Sequence, residues 1–358
     1  MTSHERFQTA CAHRLPDRPP IDYLAHPEAD RRLRVALGVE TERELLDRLG
    51  CDFFYLPGRD LSQNEGALPF YKHRERLALS ATERSCPLGI RWQRGAFASK
   101  FAVDEAIAGP FSDTSTAGDI LAFPWPRAAD FDFSPLQAEA DANRDRVRVG
   151  GLWTGILGDS YRMLGFQNFL CALAAEPELA RTLIDRMTEL YLELNAAYFE
   201  ALKGRMEVWF FGNDFGSQEA LLFSAEMWGD FFCEDIRRLT ALAHAHGLKV
   251  MMHSCGAVAP LIPLLIEAGV DILDPIQVTA KGMVPADLKA RFGQRLVFHG
   301  GIDTQRVLPF GSREEVAGHV RATTAALGRD GGYIFAPSQI LGPDIPTDNI
   351  LAMYGLLT

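Results

Sequence analysis

In the second half of the chain, short apolar runs alternate with longer stretches whose apolar residues recur at helical spacing. The short runs are rich in β-branched and aromatic residues and end on Gly, Pro, Asn or Asp. They fall at 207–213 (EVWFFGN), 248–254 (LKVMMHS), 271–276 (DILDPI), 296–300 (LVFHG) and 333–337 (YIFAP), and read as strands. The stretches between them read as helices. One runs from Ser224 as N-cap to Gly247, AVAPLIPLLIEAGV is short and amphipathic, and SREEVAGHVRATTAALG opens on Ser312 and closes on Gly328. Earlier strands are expected at 21–25 (IDYLA), 52–56 (DFFYL) and about 147–153 (VRVGGLW), and 157–204 reads as helix interrupted near Glu176-Pro177. Strands alternating with helices imply right-handed βαβ units and a parallel sheet. Eight strands of this kind suggest a closed (β/α)₈ TIM barrel, with a doubly wound open sheet as the alternative.

The gap after the second strand is too long for one helix. Residues 58–145 carry Gly, Pro and aromatic clusters, among them CPLGIRWQRGAFASKF and FPWPRAADFDF. This segment reads as an insertion within a single domain spanning 1–358, hairpin-like over 84–103 and loop plus helix over 104–145, capping one end of the barrel. No flexible linker, short repeat or low-complexity tract interrupts the chain.

Composition narrows the partners. The chain is 47% hydrophobic and carries a formal charge of −11, with no basic run interleaved with aromatics. Nucleic acid and anionic membrane surfaces are therefore excluded as partners, leaving a small-molecule substrate. The first twenty residues lack an apolar core, and no run approaches the ~18 residues of a membrane span. The expectation is a cytoplasmic protein. Its six cysteines show no close pairing and read as free thiols. A homodimer is the default assembly.

In a barrel of this type the reacting groups sit at the carboxyl ends of the strands. Those ends here bring Asn213-Asp214, His253-Ser254-Cys255, Asp274-Pro275-Ile276-Gln277, His299-Gly300-Gly301-Ile302-Asp303 and Ala336-Pro337-Ser338-Gln339. His253 and Cys255, two residues apart, point the same way if they lie on a strand, a pair suited to zinc. Asp214, Asp274 and His299 are the candidate catalytic groups, with His299 the natural proton shuttle because an imidazole titrates near neutrality. Asn213, Gln277, Asp303 and Gln339 are candidate substrate contacts. Plainer roles stand beside each of these: a core histidine beside an inert thiol, an aspartate capping a helix or starting a turn, a Gly-Gly pair serving the backbone. His244 and His246 sit on one helix but on different faces, and Trp209, Phe210 and Phe211 read as core.

His253-Ser254-Cys255-Gly256, Asp274-Pro275-Ile276-Gln277, His299-Gly300-Gly301-Ile302-Asp303 and the ending Ile345-Pro346-Thr347-Asp348-Asn349-Ile350 resemble the uroporphyrinogen decarboxylase superfamily. The resemblance covers most of 200–358. It continues more loosely through Asp17-Arg18-Pro19-Pro20 and Phe123-Pro124-Trp125-Pro126. It implies a (β/α)₈ barrel and one of two chemistries. True uroporphyrinogen decarboxylases hold substrate carboxylates with an arginine-rich N-terminal motif, where this chain reads IDYLAHPEADRRL and lacks it. The corrinoid and coenzyme M methyltransferase-like branch uses zinc held by a His-x-Cys pair and a later Cys. His253 and Cys255 match the pair, whereas the late position reads Ala336-Pro337-Ser338-Gln339, without cysteine. Asp214 is the carboxylate expected to complete the set.

The resemblance therefore implies a zinc-dependent methyltransferase moving a methyl group between a small donor or a corrinoid, carried on a partner protein, and a thiol or similar acceptor. The alternatives are a metal-independent decarboxylase of a porphyrinogen or smaller acid and a non-catalytic ligand-binding barrel.

Overall fold

The computed structural model describes residues 1–57, 70–77, 80, 83–94, 104–113 and 116–355. Its strands are β1 (Phe53–Tyr55), β2 (Glu83–Ser85), β3 (Arg91–Arg94), β4 (Asp104–Ala108), β5 (Val147–Gly150), β6 (Val208–Gly212), β7 (Lys249–His253), β8 (Ile272–Ile276), β9 (Val297–Ile302) and β10 (Tyr333–Pro337). Seven of them form one sheet in the order β1-β5-β6-β7-β8-β9-β10, every pair parallel. The chain is thus an α/β protein whose helices connect successive parallel strands.

Alternation along these strands separates two apolar clusters. Phe53, Val147, Val149, Val208, Phe210, Met251, Ile272, Val297 and Ile334 pack together on one face, joined by Phe7 of the helix Ser3–Cys11. The opposite face, with Leu152, Trp209, Phe211, Val250, Met252, Leu273, Phe298 and Phe335, packs into the larger cluster with the helices. The first cluster has a direct consequence. Two residues after Phe53, Met251, Ile272 and Val297, on the same face, stand Tyr55, His253, Asp274 and His299. An apolar layer therefore gives way to a polar one at the carboxyl ends of the strands.

The segment expected as a strand at 21–25 differs from expectation. It forms isolated parallel bridges, Ile21 to Phe335 and Ala25 to Leu341. Pro19 and Pro20 bring no amide donors. The N–H of Ile21 goes to the Asp52 carboxylate (2.8 Å) and that of Tyr23 to the Asp22 carboxylate (2.7 Å). Side chains thus capture donors that a ladder needs. The segment nonetheless bonds in both directions: Asp22 N–H donates to Phe335 O, and Asp52 N–H to Ile21 O.

The long helix expected from Ser224 begins there, with the Ser224 hydroxyl accepting from Met227 N–H, but divides into Ala225–Phe231 and Cys233–Ala245. Phe232, at φ −129°, leaves helical geometry where its ring stacks on Phe223 and meets Phe215 edge-on. The helix Arg313–Gly328 is capped by Ser312 with Glu315 in a capping box, as its sequence suggests. Region 157–204 resolves into Ile156–Leu164, Phe166–Ala175 and Pro177–Ala201.

Within the span read as an insertion, β2, β3 and β4 form a separate antiparallel sheet. Residues 95–103 of the hairpin expected over 84–103 and the stretch 58–69 lie outside the described residues. No helix among the described residues is long and apolar enough to cross a membrane.

Candidate metal centre and cavity

β7 ends on His253, and the next residues turn sharply. The Ser254 N–H donates to the Asp274 carbonyl, and its hydroxyl accepts from Phe215 N–H at 3.1 Å. Gly256 takes φ +93°, and a Cβ there would lie 2.6 Å from the Gly216 backbone, so the turn needs glycine. The turn carries Cys255 back towards Asp214, which follows β6. One ligand atom from each of Asp214, His253 and Cys255 lies within 4.8 Å of the others. Asp214 Oδ1 accepts from the Cys255 N–H (3.2 Å), lies 3.3 Å from its Sγ and 3.4 Å from His253 Nε2.

Behind this trio runs a buried chain of acids and imidazoles. His253 Nδ1 is 2.6 Å from Asp274 Oδ2, and the other carboxylate oxygen makes a 2.6 Å ion-pair contact with His299 Nδ1. His299 Nε2 reaches Asp22 Oδ2 at 2.8 Å, which also accepts the Tyr55 hydroxyl at 2.5 Å. Asp22, Asp274 and His299 are buried, whereas Asp214 stands exposed at the rim.

The chain borders a cavity of about 290 Å³ lined by the polar Asp22, His253, Asp274 and His299 and by the apolar Trp153, Phe210, Pro275 and Ile340. The Trp153 ring meets Phe210 edge-on at 5.2 Å and lies 5.5 Å from the His253 ring. A Cβ on Gly212 would sit 2.1 Å from Trp153 Cζ2, so only glycine leaves room for the indole. Gly212→Ala is expected to displace Trp153 and to lower stability by about 1–3 kcal/mol, read as a reduced urea midpoint.

A uroporphyrinogen decarboxylase (URO-D) family model matches residues 137–357. The chain belongs to the uroporphyrinogen decarboxylase (URO-D) family. Among solved structures, a methyltransferase from Methanosarcina mazei superposes on this URO-D family chain with TM-score 0.68 at 16% identity, covering 99% of this chain and 98% of that one. That likeness shows a shared fold. D-psicose 3-epimerase, in a structure with D-fructose, gives TM-score 0.34 at 12% identity over 62% of this chain and 72% of its own. No curated protein sequence matches the chain.

Electrostatics fixes the state of the URO-D chain's buried network. Burial alone raises the Asp274 carboxyl, but the charges and hydrogen bonds of His299 and His253 outweigh it and hold Asp274 well below the carboxylate range. Burial lowers His253 too, yet its bonds to Asp274 and Cys255 bring it well above an ordinary imidazole. His299 follows the same balance, pushed up to about 9 by Asp274 and Asp22 against burial.

A folded value above the ordinary 6.5 means that the contribution of His299 to stability is complete below pH 6.5 and fades as the pH rises through 9. Asp274 adds a contribution present above its ordinary 3.8 and lost in acid. The His299 shift corresponds to about 3 kcal/mol. The gap in urea midpoint between wild type and His299→Gln should accordingly narrow from pH 6.5 to 9. A constant gap would contradict this charge state.

Several residues singled out from sequence have other engagements. Asn213 Oδ1 accepts from Leu157 N–H and its Nδ2 donates to Thr154 O, both backbone groups. Gln277 Oε1 accepts from Gly256 N–H at 2.7 Å and so braces the Cys255 turn. Asp303 Oδ1 caps its own turn through the N–H groups of Gln305 and Arg306. Gln339 lines the cavity mouth, exposed, with its Oε1 on the Ile340 N–H. His299, read as the proton shuttle, bonds Asp22 through Nε2 and has its Nδ1, without a hydrogen bond, 2.6 Å from Asp274.

Phe210, read as core, packs in the apolar cluster and also lines the cavity. Arg32 ties its helix to the Pro343 and Ile345 carbonyls. The sequence reading passed over Asp22, Tyr55 and Trp153. An acid inside the apolar run Ile21-Asp22-Tyr23-Leu24 was the available signal for the first.

Proposed function

We propose that this protein is a zinc-dependent methyltransferase, transferring a methyl group to a thiol or similar acceptor inside a (β/α)₈ barrel. The Ile21 segment would be the eighth strand position, and the 58–145 insertion would cover one end. The convergence of Asp214, His253 and Cys255 at adjoining strand ends carries this reading. Three protein donors and one open position form the usual catalytic zinc set. The donors also fit in detail. Asp274 takes the Nδ1 side of His253 and leaves Nε2 turned towards Asp214, the carboxylate–histidine pairing typical of metal sites.

Zinc bound there would supply a Lewis acid that stabilises a thiolate at neutral pH. The chain's own residues do the remainder. Asp274 orients His253, and His299 positions Asp274 by holding its second oxygen. Tyr55 and Tyr23 fix Asp22. Trp153 and Phe210 exclude water from the cavity wall.

Zinc analysis of purified protein, with methyl transfer assayed before and after chelation, tests the reading. The expected result is bound zinc, turnover abolished by chelator and turnover restored by added zinc. Carbon dioxide release that survives chelation would favour the metal-independent decarboxylase instead. A cavity of about 290 Å³, lined among the described residues by no Lys or Arg, is a poor receptor for a porphyrinogen and its carboxylates. A corrinoid partner would have to present its methyl group at the rim, since a corrin ring does not enter a space of that size.

A further inference from the structure

We propose that the cavity recognises a small onium cation, a methylated ammonium or sulfonium compound, as the methyl donor. This rests on the methyl-transfer reading of the same site and names the substrate class. Size comes first. At about 30 Å³ per water, the cavity of about 290 Å³ admits a molecule of roughly ten non-hydrogen atoms.

Charge comes second. Asp22 and Asp274 line the cavity beside His253 and His299, and among the described residues lining it there is no Lys or Arg. The lining thus offers carboxylates and no lysine or arginine to pair with an anion, so it suits an onium group better than a carboxylate substrate.

The third observation is the wall. Trp153 and Phe210, which meet edge-on at 5.2 Å, both line the cavity, and indole and phenyl rings attract quaternary cations.

The fourth concerns the leaving group. A methyl ether leaves as an alkoxide and needs a proton. His299 Nε2 is bonded to Asp22 and its Nδ1, without a hydrogen bond, lies 2.6 Å from Asp274, while His253 has Asp274 at one nitrogen and Asp214 facing the other. An onium donor needs no proton. Its C–N or C–S bond breaks with the electron pair left on nitrogen or sulfur, while a lone pair of the acceptor thiolate forms the new S–CH₃ bond. The onium and thiolate charges cancel. The neutral amine or sulfide then loses the attraction that held the donor.

Calorimetry with choline and with its uncharged carbon isostere, dimethylbutanol, tests the proposal on zinc-assayed wild-type protein. Choline is expected to bind about tenfold tighter or better. Trp153→Leu should erase most of that preference, weakening choline by a larger factor than dimethylbutanol. Asp22→Asn, which keeps the side-chain shape, gives a second variant should the first fold poorly, and it should weaken choline alone. Equal affinities in wild type, or tighter binding of trimethylacetate than of choline, would overturn the proposal. Zinc-free protein that still prefers choline would sink the methyl-transfer reading and uphold the recognition. Zinc-loaded protein indifferent to charge would do the reverse.

Discussion

Asp274→Leu is expected to destabilise the protein by about 3–5 kcal/mol at neutral pH. The carboxylate lies between two buried imidazoles, each 2.6 Å from one of its oxygens. Removing it leaves His253 and His299 buried without the charge that keeps them protonated, and both must then shed a proton or unfold. Asp22 can compensate only His299. Asp274→Asn keeps the shape and one acceptor, so its cost should fall between wild type and the leucine variant. Urea unfolding at pH 6.5 checks the order. Equal midpoints for all three proteins would show that the acid–imidazole chain contributes nothing to the fold. The asparagine variant should also bind zinc 10–100-fold more weakly, because the carboxylate that orients a ligating histidine tunes its basicity.

Cys255→Ala is expected to abolish zinc retention and methyl transfer while sparing the fold. Its thiol is half-buried on a turn, held mainly by Asp214. Truncation opens no core cavity and leaves a histidine and a carboxylate, too few donors to hold the ion. His253→Ala should lose the metal as well, but it also strips Asp274 of a partner and therefore destabilises. Metal content and urea midpoint measured together separate the two variants. Zinc retained at wild-type stoichiometry by Cys255→Ala would remove the thiol from the site.

Much of this arrangement is written in a period of two. Met251 and His253, Ile272 and Asp274, and Val297 and His299 are each two residues apart, so each polar group inherits the orientation of the apolar residue before it. That is why the strand ends were legible. The direction of the amides was not. Asn213 and Gln277 stand where the sequence put them, but their side chains turn to backbone groups supplied by distant loops.

The break at Phe232 was hidden for a related reason. The helical pattern runs on, and the backbone breaks where the Phe232 ring stacks on Phe223. Asp22 escaped because its segment looks like an ordinary strand. Its polarity acquires meaning only when His299 arrives beside it.

That last pairing bears on how the molecule is made. Asp22 and His299 are 277 residues apart in sequence, and the Pro20–Asp22 segment also bonds to Phe335 of β10. A ribosome must therefore release nearly the whole chain before these contacts can form. Such non-local closure is slow. Until then the β1 edge lacks this partner, and an unpaired strand edge is a template for association with other chains.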